Sequence, residues 1–242
     1  MKTNFLPFGI PAAVAALLVL GTVPASRAIG AMDEQPIRII QTIEAKFPAE
    51  LTAQGISRGE VQAVMLIDAD GKLADCMVTA YSHPAFAVEI LTAVRHWEYV
   101  PARVNGEATG QRVQLVFHFE QKGSIVSMIP ATAIASSLNR IVPSSLTALV
   151  CRADELDQKP RILESVSPRH PGKALTPPAE KGNALIDFYI DAEGKPRMPV
   201  SLRATHEEFA VAAAEALMHW RFSPPTRHGR PIAVRMVQEF VF

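Results

Sequence analysis

Apolar residues alternate with their neighbours in two separate stretches of the chain. Val61, Ala63, Met65 and Ile67 share one phase against Gln62, Val64 and Leu66, and Ala184, Ile186, Phe188 and Ile190 repeat it. A period of two places each set on one face of a β-strand. Both runs end in a turn sequence, "IDADGK" and "IDAEGK", in which Asp bonds nearby backbone groups and Gly takes positive φ. Second strands are expected near Leu73–Thr79 and Pro196–Leu202, with Met77 and Val200 in matched core phase and Cys76 on the outer face. Pro196 and Pro199 cannot donate to a ladder, so the later strand is predicted to be short or at an edge.

The period then lengthens to that of a helix. "PAFAVEILTAVRHW" sets Phe86, Ile90, Val94 and Trp97 on one stripe, and "EEFAVAAAEALMHW" does the same for Phe209, Ala213, Leu217 and Trp220. Pro84 suits a first helical turn, and Glu207 and Glu208 oppose an N-terminal dipole. The phrases "HWEYVPARVNG" and "HWRFSPPTRHG" follow, each a helix exit, a stiff connector and a turn. Last strands are predicted at Arg112–Phe119 and Arg235–Phe242, with Phe117, Phe119, Phe240 and Phe242 in phase.

These parallels extend into a repeat. Pairing residues 38–119 with 161–242 without a gap leaves 21 identical positions of 82. The chain therefore carries a duplication. Each copy is predicted to be a small α+β domain, a three-stranded antiparallel sheet with one helix packed on a face. The expected organisation is 34–120 for the first domain, 121–158 for a connector and 159–242 for the second domain. The connector, with "PATAIASSLNRIVPSSLTALV", reads as ordered and able to hold a short helix.

Composition narrows the functional classes. Lys plus Arg number 24, as do Asp plus Glu, with no run of like charge, so nucleic acid is not an expected partner. Residues 1–28 differ from the rest: one early lysine, an apolar stretch from Phe5 to Val23, then Ser26 and Ala28 where a signal peptidase requires small side chains. A cleaved signal peptide is the expectation and an uncleaved membrane anchor the alternative. Membrane contact is expected only in the second case, and both place the remainder outside the cytoplasm.

The ordered motifs carry a family resemblance. They are an aromatic-Pro pair, a strand ending in D-x-x-G, a helix ending in Trp-x-aromatic-x-Pro, a turn with Gly and a terminal aromatic strand. The second copy supplies Pro171 after His170, then Asp191, Gly194, Trp220, Phe222, Pro224, Gly229, Phe240 and Phe242. The first supplies Phe47, Pro48, Asp68, Gly71, Trp97, Tyr99, Pro101, Asn105, Gly106, Phe117 and Phe119. Each copy resembles the C-terminal domain of the TonB family of periplasmic proteins, departing from its usual Tyr before the first Pro with Phe47 and His170. The resemblance implies a periplasmic, non-catalytic binding or adaptor protein that takes a peptide, such as a segment of a TonB-dependent outer-membrane receptor, by strand addition at a sheet edge. The candidate edge residues are Val234, Arg235, Met236, Val237, Gln238, Glu239 and Val241 in copy two, and Val113, Gln114, Val116 and His118 in copy one. Mutual capping of the two edges is the alternative.

Two rival functions stay open. One is an energy transducer anchored in the inner membrane and facing the periplasm, which needs a long linker. About 10 residues between Ala28 and the first repeat reach only ~35 Å, which disfavours it. The other is a structural, self-associating periplasmic protein. The histidine pairs His83/His206 and His96/His219 give no metal-ligand spacing, and no phosphate loop or nucleophile motif occurs. No enzyme, metal or cofactor is expected, and lone acids such as Glu60 and Asp75 read as solvated. In an oxidising compartment a Cys76–Cys151 disulfide would staple the connector to the first domain, two free thiols being the alternative.

Overall fold

Strand β1 (Arg58–Ile67) turns into β2 (Leu73–Tyr81), helix α1 (Pro84–Ala93) follows, and β3 (Gln111–Glu120) returns beside β1. The structure, a computed structural model, describes residues 34–121, 123–129, 145–172 and 181–242. After β3 come β4 (Gly123–Ile129), β5 (Thr147–Ala148) and β6 (Val150–Cys151). The second copy then supplies β7 (Asn183–Ile190), β8 (Pro196–Ala204), α2 (Glu207–Met218) and β9 (Ala233–Val241). Residues 1–28, on which the signal-peptide and anchor readings rest, lie outside the described residues, as do residues 130–144 of the connector.

The α+β class and the pairing of one helix with each sheet match the sequence reading, but the sheets are larger than three strands. The first has the order β5-β2-β1-β3-β4, all antiparallel. The second has the order β6-β9-β7-β8, with β6 parallel to β9. All three additional strands come from the connector. Proline did not shorten β8: it spans nine residues and lies at the sheet edge, where missing N–H donors are tolerated.

Each helix buries its expected stripe on its own sheet. Phe86, Ile90, Val94 and Trp97 join Val61, Ala63, Met65, Ile67, Phe117 and Phe119 in one core. Phe209, Ala213, Leu217 and Trp220 join Ala184, Ile186, Phe188, Ile190 and Phe240 in another. A glycine at the head of each first strand makes room for the helix phenylalanine. A Cβ at Gly59 would overlap the Phe86 ring, and one at Gly182 the Phe209 ring.

The family motifs have physical roles in this packing. Asp68 Oδ1 accepts the N–H groups of Asp70 (3.0 Å) and Lys72 (2.8 Å), and Asp191 Oδ1 those of Glu193 (3.1 Å) and Lys195 (2.8 Å). Gly71, at φ +77°, lies under the helix exit, where a Cβ would come within 2.7 Å of the Tyr99 carbonyl oxygen. The indole of Trp97 donates to the Ile43 carbonyl (2.8 Å), and that of Trp220 donates to Val166 (2.9 Å). Phe47 meets Phe86 edge-on at 5.2 Å, and His170 meets Phe209 edge-on at 5.4 Å, so both departures from Tyr keep the ring contact. Asn105–Gly106 and His228–Gly229 take positive φ in the turns that follow Pro101 and Pro224.

The faces turned away from the helices meet each other. Val64, Tyr189 and Met198 are buried together, with Leu66, Met77 and Val150 packed around them. Met77 therefore points to the other repeat and Cys76 to the first core, the reverse of the expected phase. Register shifts between Gln62 and Ala63 and between Leu66 and Ile67, where β2 pairs β1, bracket that inversion, and Leu73 and Tyr81 outside them face the first core. Asp33–Phe242 forms one compact unit that contains both repeats.

Candidate partner-binding edges

The hydrogen-bond alternation of β9 decides which groups it offers. Phe242 and Gly182 exchange N–H···O bonds (2.8 and 3.4 Å), and β9 continues antiparallel to β7 in unbroken register. In an antiparallel ladder such pairs recur every second residue. Phe240, Gln238, Met236 and Val234 therefore bond inward to β7, while the backbone groups of Val237, Glu239 and Val241 point outward. Ala233 confirms the phase by donating outward to the Leu149 carbonyl (3.0 Å).

β6 covers that outer side only at Ala233 and Val234. Among the described residues no strand pairs with it from there to Val241. Val234 itself is fully buried in the second core, so the accessible stretch begins beyond it. The Glu239 carbonyl accepts the side chain of the adjacent Gln238 (2.7 Å), a mobile substitute for a strand. Val237 and Val241 are 47% and 78% exposed on either side of Glu239.

The matching edge in copy one is not open. β3 has β1 on one side and β4 on the other, the latter paired from Gln114–Ile129 to Glu120–Gly123. Val113, Gln114, Val116 and His118 thus lie on an interior strand, which corrects the expectation of an edge there. The sequence reading missed β4 because "GSIVSMI" falls outside the repeat. Its signal was present, however: a short apolar run with Ile125, Val126 and Ile129, β-branched and without charge or proline.

An ion cluster joins the repeats behind these edges. Asp187 is fully buried on β7, where its two oxygens accept Arg235 Nε at 2.8 and 3.0 Å and both carboxylate–arginine pairs close onto it, from Arg235 and from Arg112 of the first repeat. Arg112 also donates to the Met198 carbonyl (3.1 Å), and its guanidinium lies 5.0 Å from the centre of the Tyr189 ring. Met198 takes φ +51° opposite a register shift in β7–β8 pairing, a bulge that presents this carbonyl. Nearby Arg197 donates to Asp75 (Nε to Oδ2, 2.7 Å), whose bonds hold the Arg197 pKa above its usual value. Burial lowers the pKa of Arg235, and the Asp187 bonds reverse that, leaving it raised. Asp75 is thus half of an ion pair between repeats, not a solvated acid.

The cysteines correct a further expectation. Both are free thiols; Cys76 packs on the first core and Cys151 lies within the second, so the disulfide does not form. Burial, then the Asp75 charge, pushes the Cys76 thiol up to about 12, and burial, then Glu155, pushes Cys151 up to about 11. Neither has the character of a reactive thiolate. Among the described residues no group of His, Cys, Asp and Glu is arranged to hold a metal ion.

The family model described as Gram-negative bacterial TonB protein C-terminal matches residues 43–120 and, separately, 177–242. The chain belongs to that family. No curated protein matches it. TonB C-terminal domains are non-catalytic, mediate protein–protein contacts and are typically periplasmic, and this chain carries two in tandem. Among the described residues no helix is long and apolar enough to cross a membrane.

Proposed function

We propose that this TonB C-terminal tandem is a periplasmic adaptor that takes an extended segment of a partner protein as an added strand on the outer side of β9. The partner class that fits the family is a TonB-dependent outer-membrane receptor. One observation carries the reading. The equivalent strand of the first repeat already holds an added strand, β4, whereas β9 beyond Val234 has none among the described residues. Strand addition draws affinity from main-chain bonds and selectivity from alternate side chains, and Val237, Glu239 and Val241 supply both.

The test is titration of the isotope-labelled chain with peptides from the N-terminal boxes of such receptors, followed by amide NMR. The expected result is saturable shifts at Val237, Glu239 and Val241. No shift there with any peptide, together with stable dimers in sedimentation, would replace this reading with that of a self-associating structural protein.

A further inference from the structure

We infer that β4 is an internal template for the partner, and that its sequence defines, position by position, the peptide that β9 accepts. The inference rests on the proposed strand addition and deepens it. β3 and β9 are equivalent strands of the duplication, sharing Arg112/Arg235, Phe117/Phe240 and Phe119/Phe242 at a constant offset. A strand that fits one edge therefore reports the geometry of the other.

The register on β3 is known. Ile129 faces Gln114, Met128 faces Leu115, Ser127 faces Val116, Val126 faces Phe117, Ile125 faces His118 and Ser124 faces Phe119. Carried across the offset, Ile129 would face Val237, Ser127 would face Glu239 and Ile125 would face Val241. On that face β9 exposes apolar, acidic and apolar side chains in order, and the template answers with isoleucine, serine and isoleucine. On the opposite face Ser124, Val126 and Met128 would meet Phe242, Phe240 and Gln238. The favourable direct pairs are Ile129 with Val237, Ile125 with Val241 and Val126 with Phe240, together with the Ser127 hydroxyl facing the Glu239 carboxylate. β6 stops at Val234, so a strand beginning opposite Val237 meets no obstruction from it.

The occupant is thus an uncharged segment of about seven residues, antiparallel to β9, with β-branched apolar side chains flanking a small hydroxyl. β4 also shows how lightly such a strand is held by its side chains. Ile125 is 66% exposed, and no β4 residue belongs to a core cluster, so the backbone ladder carries the contact.

The experiment uses the whole chain and a capped synthetic peptide with the sequence of residues 123–129. The expected result is amide shifts at Val237–Val241, with a spin label at the peptide's N-terminus broadening the signals nearest Val241. A peptide carrying Ser127→Asp should bind about 2–5-fold more weakly, since like charges face each other at Glu239, and the Glu239→Lys chain should reverse that order. Glu239 is exposed, so the exchange leaves the fold intact. Shifts confined to Arg112–Glu120 would mean that the peptide displaces β4 instead, and would overturn the inference. So would indifference to the charge at Ser127. If receptor peptides shift β9 and this peptide does not, the template idea fails while the adaptor function stands; if neither does, both fail.

Discussion

Asp187→Asn should be the most damaging single-atom change in this protein. The carboxylate is fully buried and pairs with both Arg112 and Arg235, whose side chains are 4% and 11% exposed. The amide keeps the shape but removes the negative charge that Arg112 and Arg235 share there. Breaking a buried ion pair by removing one partner costs about 3–5 kcal/mol. At roughly 2–4 °C per kcal/mol for a chain of this size, Tm should fall by about 10 °C. Arg112→Met should cost less, because Asp187 retains Arg235 within its own repeat. Because Asp187 corresponds to Val64 in the duplication, Asp187→Val combined with Arg112→Met and Arg235→Met should recover much of the loss, as apolar replacement of a whole buried ion cluster often does. The assay is urea and thermal unfolding followed by circular dichroism and by fluorescence. The two tryptophans, Trp97 and Trp220, lie one in each core, so Trp→Phe variants report each repeat separately. A Tm within about 2 °C of the parent for Asp187→Asn would refute the argument. Separate midpoints for the two tryptophans in the parent would refute its premise that the cluster couples the repeats.

Four further outcomes are expected. Gly182→Ala should lower stability by about 1–3 kcal/mol, because the new methyl forces the Phe209 ring aside, and Gly59→Ala should match it through Phe86; denaturant midpoints check both. Val237→Pro removes an outward N–H and should abolish peptide binding with a modest stability loss, whereas Gln238→Pro removes an inward one and should unfold the sheet edge, visible by circular dichroism. Both thiols should resist alkylation at pH 8 in the native state and react on denaturation. Because their folded pKa values, about 12 for Cys76 and about 11 for Cys151, exceed the ordinary 9.0, the neutral forms stabilise the fold below pH 9, and that stabilisation should drain away as pH rises from 9 towards 12. Mass spectrometry of the exported protein should find a mature start at Ile29; an intact N-terminus would favour the anchored transducer.

The interior of each repeat was legible because periodicity and duplication agree. Two copies placing Phe86 and Phe209, or Trp97 and Trp220, on the same stripe leave little freedom in the core. The contact between repeats was not legible, since a period-two pattern names a face without saying what covers it. Val64 and Leu66 stood in the polar phase of β1 although both are apolar, and Asp187 stood in the apolar run "ALIDFYI". Together those misfits signal a strand buried on both faces and an acid with a buried partner. Phase in β2 failed because two bulges bracket Cys76 and Met77, reversing the faces of the residues between them and leaving no mark in composition.

The duplication alone would yield two equivalent edges, and the connector removes the equivalence. β4 completes the sheet of the first repeat, β5 caps β2 at Ala80 and Tyr81, and β6 shields only the start of β9. The buried cluster breaks the symmetry in the same sense. Arg112 and Arg235 are duplicates, yet only the second repeat carries an acid at the matching position, so the first repeat's arginine must cross the interface to reach it. In the buried position that Arg112 occupies between the repeats, this acid is its counter-charge, so the ion pair ties the first repeat to the second. β3 is thereby committed to partners within the chain, through Asp187 at one end and β4 along the rest. Of the two duplicated terminal strands only β9 keeps, beyond Val234, an outer side without a partner strand among the described residues, and the adaptor reading therefore places the partner there rather than on β3.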